Sequence, residues 1–311
     1  MYAFGYSAFG AIDIWYGDAM IGLNLPRGEV GVDNRGYNEE HQRRWTDEVM
    51  LGLCFSGRLS ATPAAVENVA KAASDRGISE ASQVQPLLET AARSSFKADS
   101  MAAEISKAVA DAGDDGVDPK ALAKAATALE EGRAKIARMT EAQDQTAAKD
   151  IETRLADPDK GPRISRLTDL MAGPDLAVET AFTSQLIYLS LEALSNSDAE
   201  ELASASQGKL QSEMSSVISA LRSRNENEKP IPKDTARANE KAQRTFALAT
   251  LSAQDLSVLS DFYGSPGGKA KRDALIESYR QVADRANTEM LGQYFSALAD
   301  YLKTHPRPQQ Q

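Results

Sequence analysis

The chain has little of what most catalytic or metal-binding proteins rely on. It has one cysteine, Cys54, and two histidines, His41 and His305. A single thiol excludes an internal disulfide and a cysteine-built metal centre. Two distant histidines leave little for imidazole-based catalysis. No run reaches the roughly 18 apolar residues of a membrane span. Lysine and arginine total 35 against 45 aspartates and glutamates, a net charge of −10. That balance argues against nucleic acid and against an anionic membrane surface, both of which call for a basic excess on one face. Aromatic residues make up 6% of the chain, while alanine is abundant. Such a composition fits a mainly helical protein of 311 residues, long enough for one large domain or two.

The aromatics are unevenly spread. Residues 1–61 hold nine of the nineteen and both tryptophans, with no lysine. Tyr2, Phe4 and Tyr6, then Ile12, Ile14 and Tyr16, alternate as a strand would. Gly17-Asp18 and Gly28–Val32 could extend this into a small sheet, and Asn38 caps a helical stretch through Trp45, Val49 and Leu53. Residues 1–61 are thus expected to form either a small β-containing recognition segment or an irregular arm packed on a helical body. Within it, Arg43–Ala61 has the n-, h- and c-region order of a signal peptide, but Asp47 and Glu48 break the pattern. Cys54 follows Leu53 rather than the small residue of a lipoprotein site and reads as a core thiol.

Helical signals begin at Thr62-Pro63, read as an N-cap with proline at the first helical position. That helix is expected to end near Gly77, and a second to run from Ser79 to about Ala112, bent at Pro86. Asp118-Pro119 opens a helix to about Gln145 whose thin stripe (Leu122, Leu129, Ile136, Met139) suits an outer helix or arm. Asp157–Pro162 and Gly173-Pro174 interrupt the pattern, and Asp175–Leu194 is apolar enough for a central helix. Asn225–Thr235, with Pro230 and Pro232, reads as a linker. The last helix is expected from Pro266 to Thr304, with Leu275, Tyr279, Val282, Ala286, Met290, Tyr294, Leu298 and Leu302 on one face.

The strongest local signal is Leu251–Lys269, two helices joined by a tight turn. Ser252 is an N-cap, with Asp255 placed to complete a capping box by reaching the Ser252 amide. Leu251 and Leu256 have the spacing of a hydrophobic staple. Leu259, Phe262 and Tyr263 continue the apolar face, and Gly264 suits a left-handed helix end. Ser265 caps the second helix, with Pro266 at its first position. Gly268 is expected where the two helices approach closely, so that leucine there is disruptive and alanine milder. Leu194–Asp198 and Gly208-Lys209 echo this unit, suggesting a duplicated hairpin.

Motifs for chemistry fail on inspection. Gly264–Lys269 lacks the spacing, the following Ser or Thr and the preceding strand of a phosphate loop. Asp111–Leu122 has Gly113 and Leu122 where a calcium loop needs ligands. His41 beside Glu39-Glu40 is a surface cluster without further ligands. No catalytic set, cofactor motif or metal spacing is found.

The residues Leu251, Ser252, Asp255, Leu256, Phe262, Tyr263, Ser265, Pro266, Gly268 and Lys269 resemble the signature of the bacterial family called domain of unknown function 2059. The likeness covers about residues 250–304. It implies an all-helical domain, in proteins usually exported to the periplasm, with no established activity or cofactor. The sixty-residue front departs from that pattern; read as the native start it would imply a cytoplasmic chain. The expectation is therefore an all-α multi-helix bundle: an arm at 1–61, a helical body at 62–224, a signature hairpin domain at 235–304 and a disordered tail at 305–311. The expected role is non-enzymatic, binding another protein or itself. The alternative is an enzyme or small-ligand binder whose site forms between helices.

Overall fold

The computed structural model of the chain describes residues 57–78, 80–113, 116–196, 207–227 and 233–305. The expected strands, the Asn38 helix, His41 and Cys54 lie outside them, as does the tail from Pro306. The described residues form eleven α-helices and no strand. In chain order these are α1 (Gly57–Asp75), α2 (Ala81–Ser95), α3 (Ala98–Ala110), α4 (Pro119–Glu141), α5 (Gln145–Leu155) and α6 (Lys160–Leu170). Then follow α7 (Gly173–Asn196), α8 (Gln207–Asn227), α9 (Lys233–Ala249), α10 (Ala253–Gly264) and α11 (Pro266–Thr304). The fold is all-α.

Local chemistry explains many of these boundaries. The Asp118 side chain accepts from the Lys120 amide, with Pro119 at the first position of α4. Asp144 does the same for the Thr146 and Ala147 amides at the start of α5. Each satisfies donors that the helix itself leaves open. Gly77 closes α1 at φ +96°, a conformation that costs glycine little. The two ends of α11, Pro266 and Thr304, fall where the pattern predicts them.

Elsewhere the structure corrects the sequence reading. Thr62-Pro63 does not start a helix: α1 is already formed at Gly57, and the Thr62 hydroxyl donates to the Arg58 carbonyl. A proline four residues after Leu59 removes one ladder bond, and burial of Leu59, Thr62 and Val66 offsets it. The expected helix from Ser79 is two, broken at Phe96-Lys97, where Phe96 turns inward and is buried. Pro86 sits inside α2. α4 stops at Glu141 rather than near Gln145, and its thin stripe of Leu122, Leu129 and Ile136 is buried against α9 and α10. Ser195, counterpart of Ser252 in the weaker echo, lies in the last turn of α7 rather than at a helix start. The linker is shorter than expected, since α8 continues to Asn227 and α9 begins at Lys233.

Two apolar cores result, and they do not follow chain order. The first gathers α1, α2, α3, α7 and α11, with Ile218 of α8. Its centre is the predicted face of α11, where Met290, Tyr294 and Leu298 are wholly buried. The second joins α4, α5 and α6 to the end of α9 and to α10. α7 packs along α1, α2, α9 and α11, which makes it the central helix its composition implies. Met171 belongs to one core and Ala172 to the other, so the chain crosses between them in one step before α7.

Candidate functional site

The predicted hairpin is the best-defined local structure. Ser252 Oγ accepts from the Asp255 amide at 3.1 Å, capping α10. The Asp255 carboxylate takes the Ser252 hydroxyl at 2.5 Å, not the amide that a capping box engages. Leu251, Leu259, Phe262 and Tyr263 are buried in the second core, and Leu256 packs against it. The Phe262 and Tyr263 rings meet edge-on at 4.9 Å.

Gly264 is not the left-handed cap expected of it; it is the last residue of α10, and Ser265 ends that helix with φ −70° and ψ 155°. The same serine begins the next. Its Oγ accepts from the Gly268 amide at 2.9 Å and donates to the Phe262 carbonyl at 2.8 Å. One residue therefore serves two helix ends, and Pro266 follows at the first position of α11. A Cβ on Gly268 would lie 1.9 Å from the Phe262 carbonyl oxygen. The close approach expected at Gly268 is present, but with backbone rather than side chains, so alanine is not a mild substitute there. These residues build a corner, and none of them faces a cleft.

Charged groups unmarked by any local motif are brought together instead between α7, α8 and α11. Glu179 of α7 is nearly buried and accepts from Arg222 at 2.8 Å and from Arg280 at 3.1 Å. Arg222 of α8 also forks onto Asp284 of α11, its Nε at 2.8 and 3.0 Å from the two oxygens. Its guanidinium lies over the Phe182 ring, 4.1 Å from the centroid. Burial works against the charged Arg222, but the bonds and charges of Asp284 and Glu179 outweigh it, so its proton is held more firmly than usual. Burial pushes the Asp284 carboxyl up, and the nearby Glu179 charge adds to that rise despite Arg222.

Two open clefts flank this cluster. One, of about 670 Å³, runs between α8 and α11 and is lined by Ser215, Ile218, Ser219, Asp284, Thr288 and Gln293, among others. The other, of about 380 Å³, is lined by Asp175, Glu179, Arg237, Arg272 and Arg280 over Val178 and Ile276. There Asp175 bridges Arg237 and Arg272.

A third charged group lies where the two cores meet. Glu240 of α9 is buried between Arg58 of α1, at 2.7 Å, and Arg244, also at 2.7 Å. Burial raises the Glu240 carboxyl, yet the arginines outweigh it and hold it at about 2. Arg244 is itself buried, under the start of α7; a Cβ on Gly173 would fall 1.8 Å from its Nε. Glycine at the head of α7 is what admits the guanidinium.

Sequence reasoning misses these groups because their members lie far apart in the chain, as Glu179 and Arg280 do. The available signal is an acid set within an apolar stretch, Glu179 between Val178 and Phe182. Among the described residues no group of three or more His, Cys, Asp or Glu side chains is placed to hold a metal ion. No described helix is long and apolar enough to cross a membrane. Compared with protein-family models, curated proteins and solved structures, the chain matches none.

Proposed function

We propose that the protein acts by binding another protein, or a second copy of itself, through the charged face formed by α7, α8, α9 and α11. The observation that supports this reading is how the ionisable groups are used. Glu179 and Asp175 each serve two arginines, across helices, and what remains around them is open groove. A general acid or base is more usefully poised in a cleft, with an altered pKa and no fixed partner. Partly exposed Arg237 and Arg280 suit the rim of a protein interface.

The likeness of residues 250–304 to the domain of unknown function 2059 family belongs to the same proposal, and the envelope location follows from it alone. The test is capture from the native host by the full chain, with sedimentation to detect self-association. Arg237→Glu together with Arg280→Glu should abolish a specific capture or shift the self-association. Capture unchanged by both substitutions would sink the reading.

A second reading has one observation in its favour: Arg237, Arg272 and Arg280 all line the 380 Å³ cleft. That arrangement suits a small carboxylate or phosphate ligand competing with Asp175. Saturable thermal stabilisation by such an anion, lost in Arg272→Gln, would favour it over the protein-binding reading.

A further inference from the structure

Among the described side chains, α8 gives the first core fewer buried apolar groups than α1, α2, α3 or α7 does. α11 is the helix along which α8 packs. Among the side chains of α8 that the structure describes, Ile218 alone is fully buried, with Met214 and Leu221 only partly so. Val217 is left exposed at 43%. Serines 215 and 219 face the 670 Å³ groove, where larger side chains would fill the space against α11. The described side chains of α8 thus draw little from the hydrophobic effect.

What it does have is Arg222. The pocket that receives this side chain is made by other elements: Glu179 and Phe182 on α7, and Asp284 on α11. Phe182 belongs to the first core, and Glu179 is also held by Arg280 of α11, so both have partners outside α8. The walls match one cation in particular. Asp284 takes two parallel bonds from the guanidinium fork, Glu179 takes a third, and the ring covers the flat face. An ammonium group can still sit over the ring, but it has neither the fork nor a flat face to stack.

We propose that Glu179, Phe182 and Asp284 form a guanidinium receptor, which Arg222 fills in the resting molecule. When α8 lifts, an arginine side chain of a partner protein takes the place of Arg222. This deepens and rests on the protein-binding reading above, naming what the partner must present.

The test uses the full chain. In hydrogen exchange, amides of α8 should exchange at least about tenfold faster than those of α11 around Tyr294. Arg222→Ala should speed α8 further while leaving the centre of α11 unchanged. Methylguanidinium at millimolar concentration should then raise the melting temperature of Arg222→Ala in a saturable way, and methylammonium at equal ionic strength should not. Asp284→Asn, added to Arg222→Ala, should remove that response. The inference is overturned if α8 exchanges as slowly as α11, or if the two cations act alike. Because the probe is a small cation, its failure leaves the protein-binding reading standing, whereas the charge-reversal captures test that reading directly.

Discussion

At Gly268 the absence of a single carbon decides how two helices meet. The Phe262 carbonyl occupies the place of a Cβ, and backbone on both sides cannot move aside as a flexible side chain could. Gly268→Ala is therefore expected to destabilise by roughly 2 kcal/mol or more, at the upper part of the range for overpacking. Gly264, four residues away, has nothing within 4 Å of its Cβ position and a negative φ. Gly264→Ala is expected to be neutral or to stabilise by up to about 1 kcal/mol. Denaturant melts of the two variants should separate in opposite directions. Equal midpoints would mean that the corner relaxes without cost. Glu240 gives the second expectation at this scale. Its carboxyl titrates near 2 when folded and near 4.5 in its ordinary state. A lowered value means stability that is present above pH 4.5 and is lost as the pH falls towards 2. The contribution is on the order of 3 kcal/mol at neutral pH. Melting temperatures of the parent should fall steeply across that window, and Glu240→Gln, already less stable at neutral pH, should show a shallower fall.

The first helix carries the clearest expectation among the elements. Leu59 is fully buried and Arg58 pairs with Glu240, yet both precede Thr62. A chain beginning at Thr62 loses the packing of Leu59, for which truncation to alanine typically costs about 2–5 kcal/mol. It also leaves Glu240 with one arginine fewer. Such a chain should melt well below one beginning at Gly57, and equal melting temperatures would show that the first turn of α1 contributes nothing. Those five residues illustrate how the sequence misleads at an element boundary. Thr-Pro is a strong helix start, but proline is tolerated within a helix when the apolar face continues through it, and only the packing partners on α7 and α9 reveal that. By contrast α11 was legible end to end, because Ser265-Pro266 and an unbroken apolar face are both local signals. The α10–α11 corner was legible as a motif, except in the choice between Gly264 and Ser265 as its pivot. The Glu179–Arg222–Asp284 cluster was not legible, since its spacing reflects how α8 lies on α11 rather than any repeat along the chain.

At the scale of the whole molecule, two separate cores are joined through shared helices. α7 and α9 run past the boundary, and there Glu240 and Arg244 are buried, with Arg58 closing over Glu240. Replacing Arg244 alone leaves a buried carboxylate short of a partner, which typically costs about 3–5 kcal/mol. Arg244→Met should therefore do more than lower stability: it should split unfolding into two transitions, with the α4–α5–α6–α10 side melting apart from the α1–α2–α3–α11 side. Calorimetry reads this directly. The parent is expected to give equal calorimetric and van't Hoff enthalpies, and the variant an excess of the first over the second. A single sharp transition in the variant would show that the shared helices alone are enough to couple the halves.

Ser265 gives the molecule a mechanical property as well as a boundary. With no spacer between α10 and α11, the second core holds one arm of a fixed-angle joint, and the other arm is 39 residues long. At 1.5 Å per residue that arm reaches about 58 Å. Along that length α11 is packed by α2, α3, α7 and α8, so the corner at Ser265 sets the direction of the helix around which the first core is assembled.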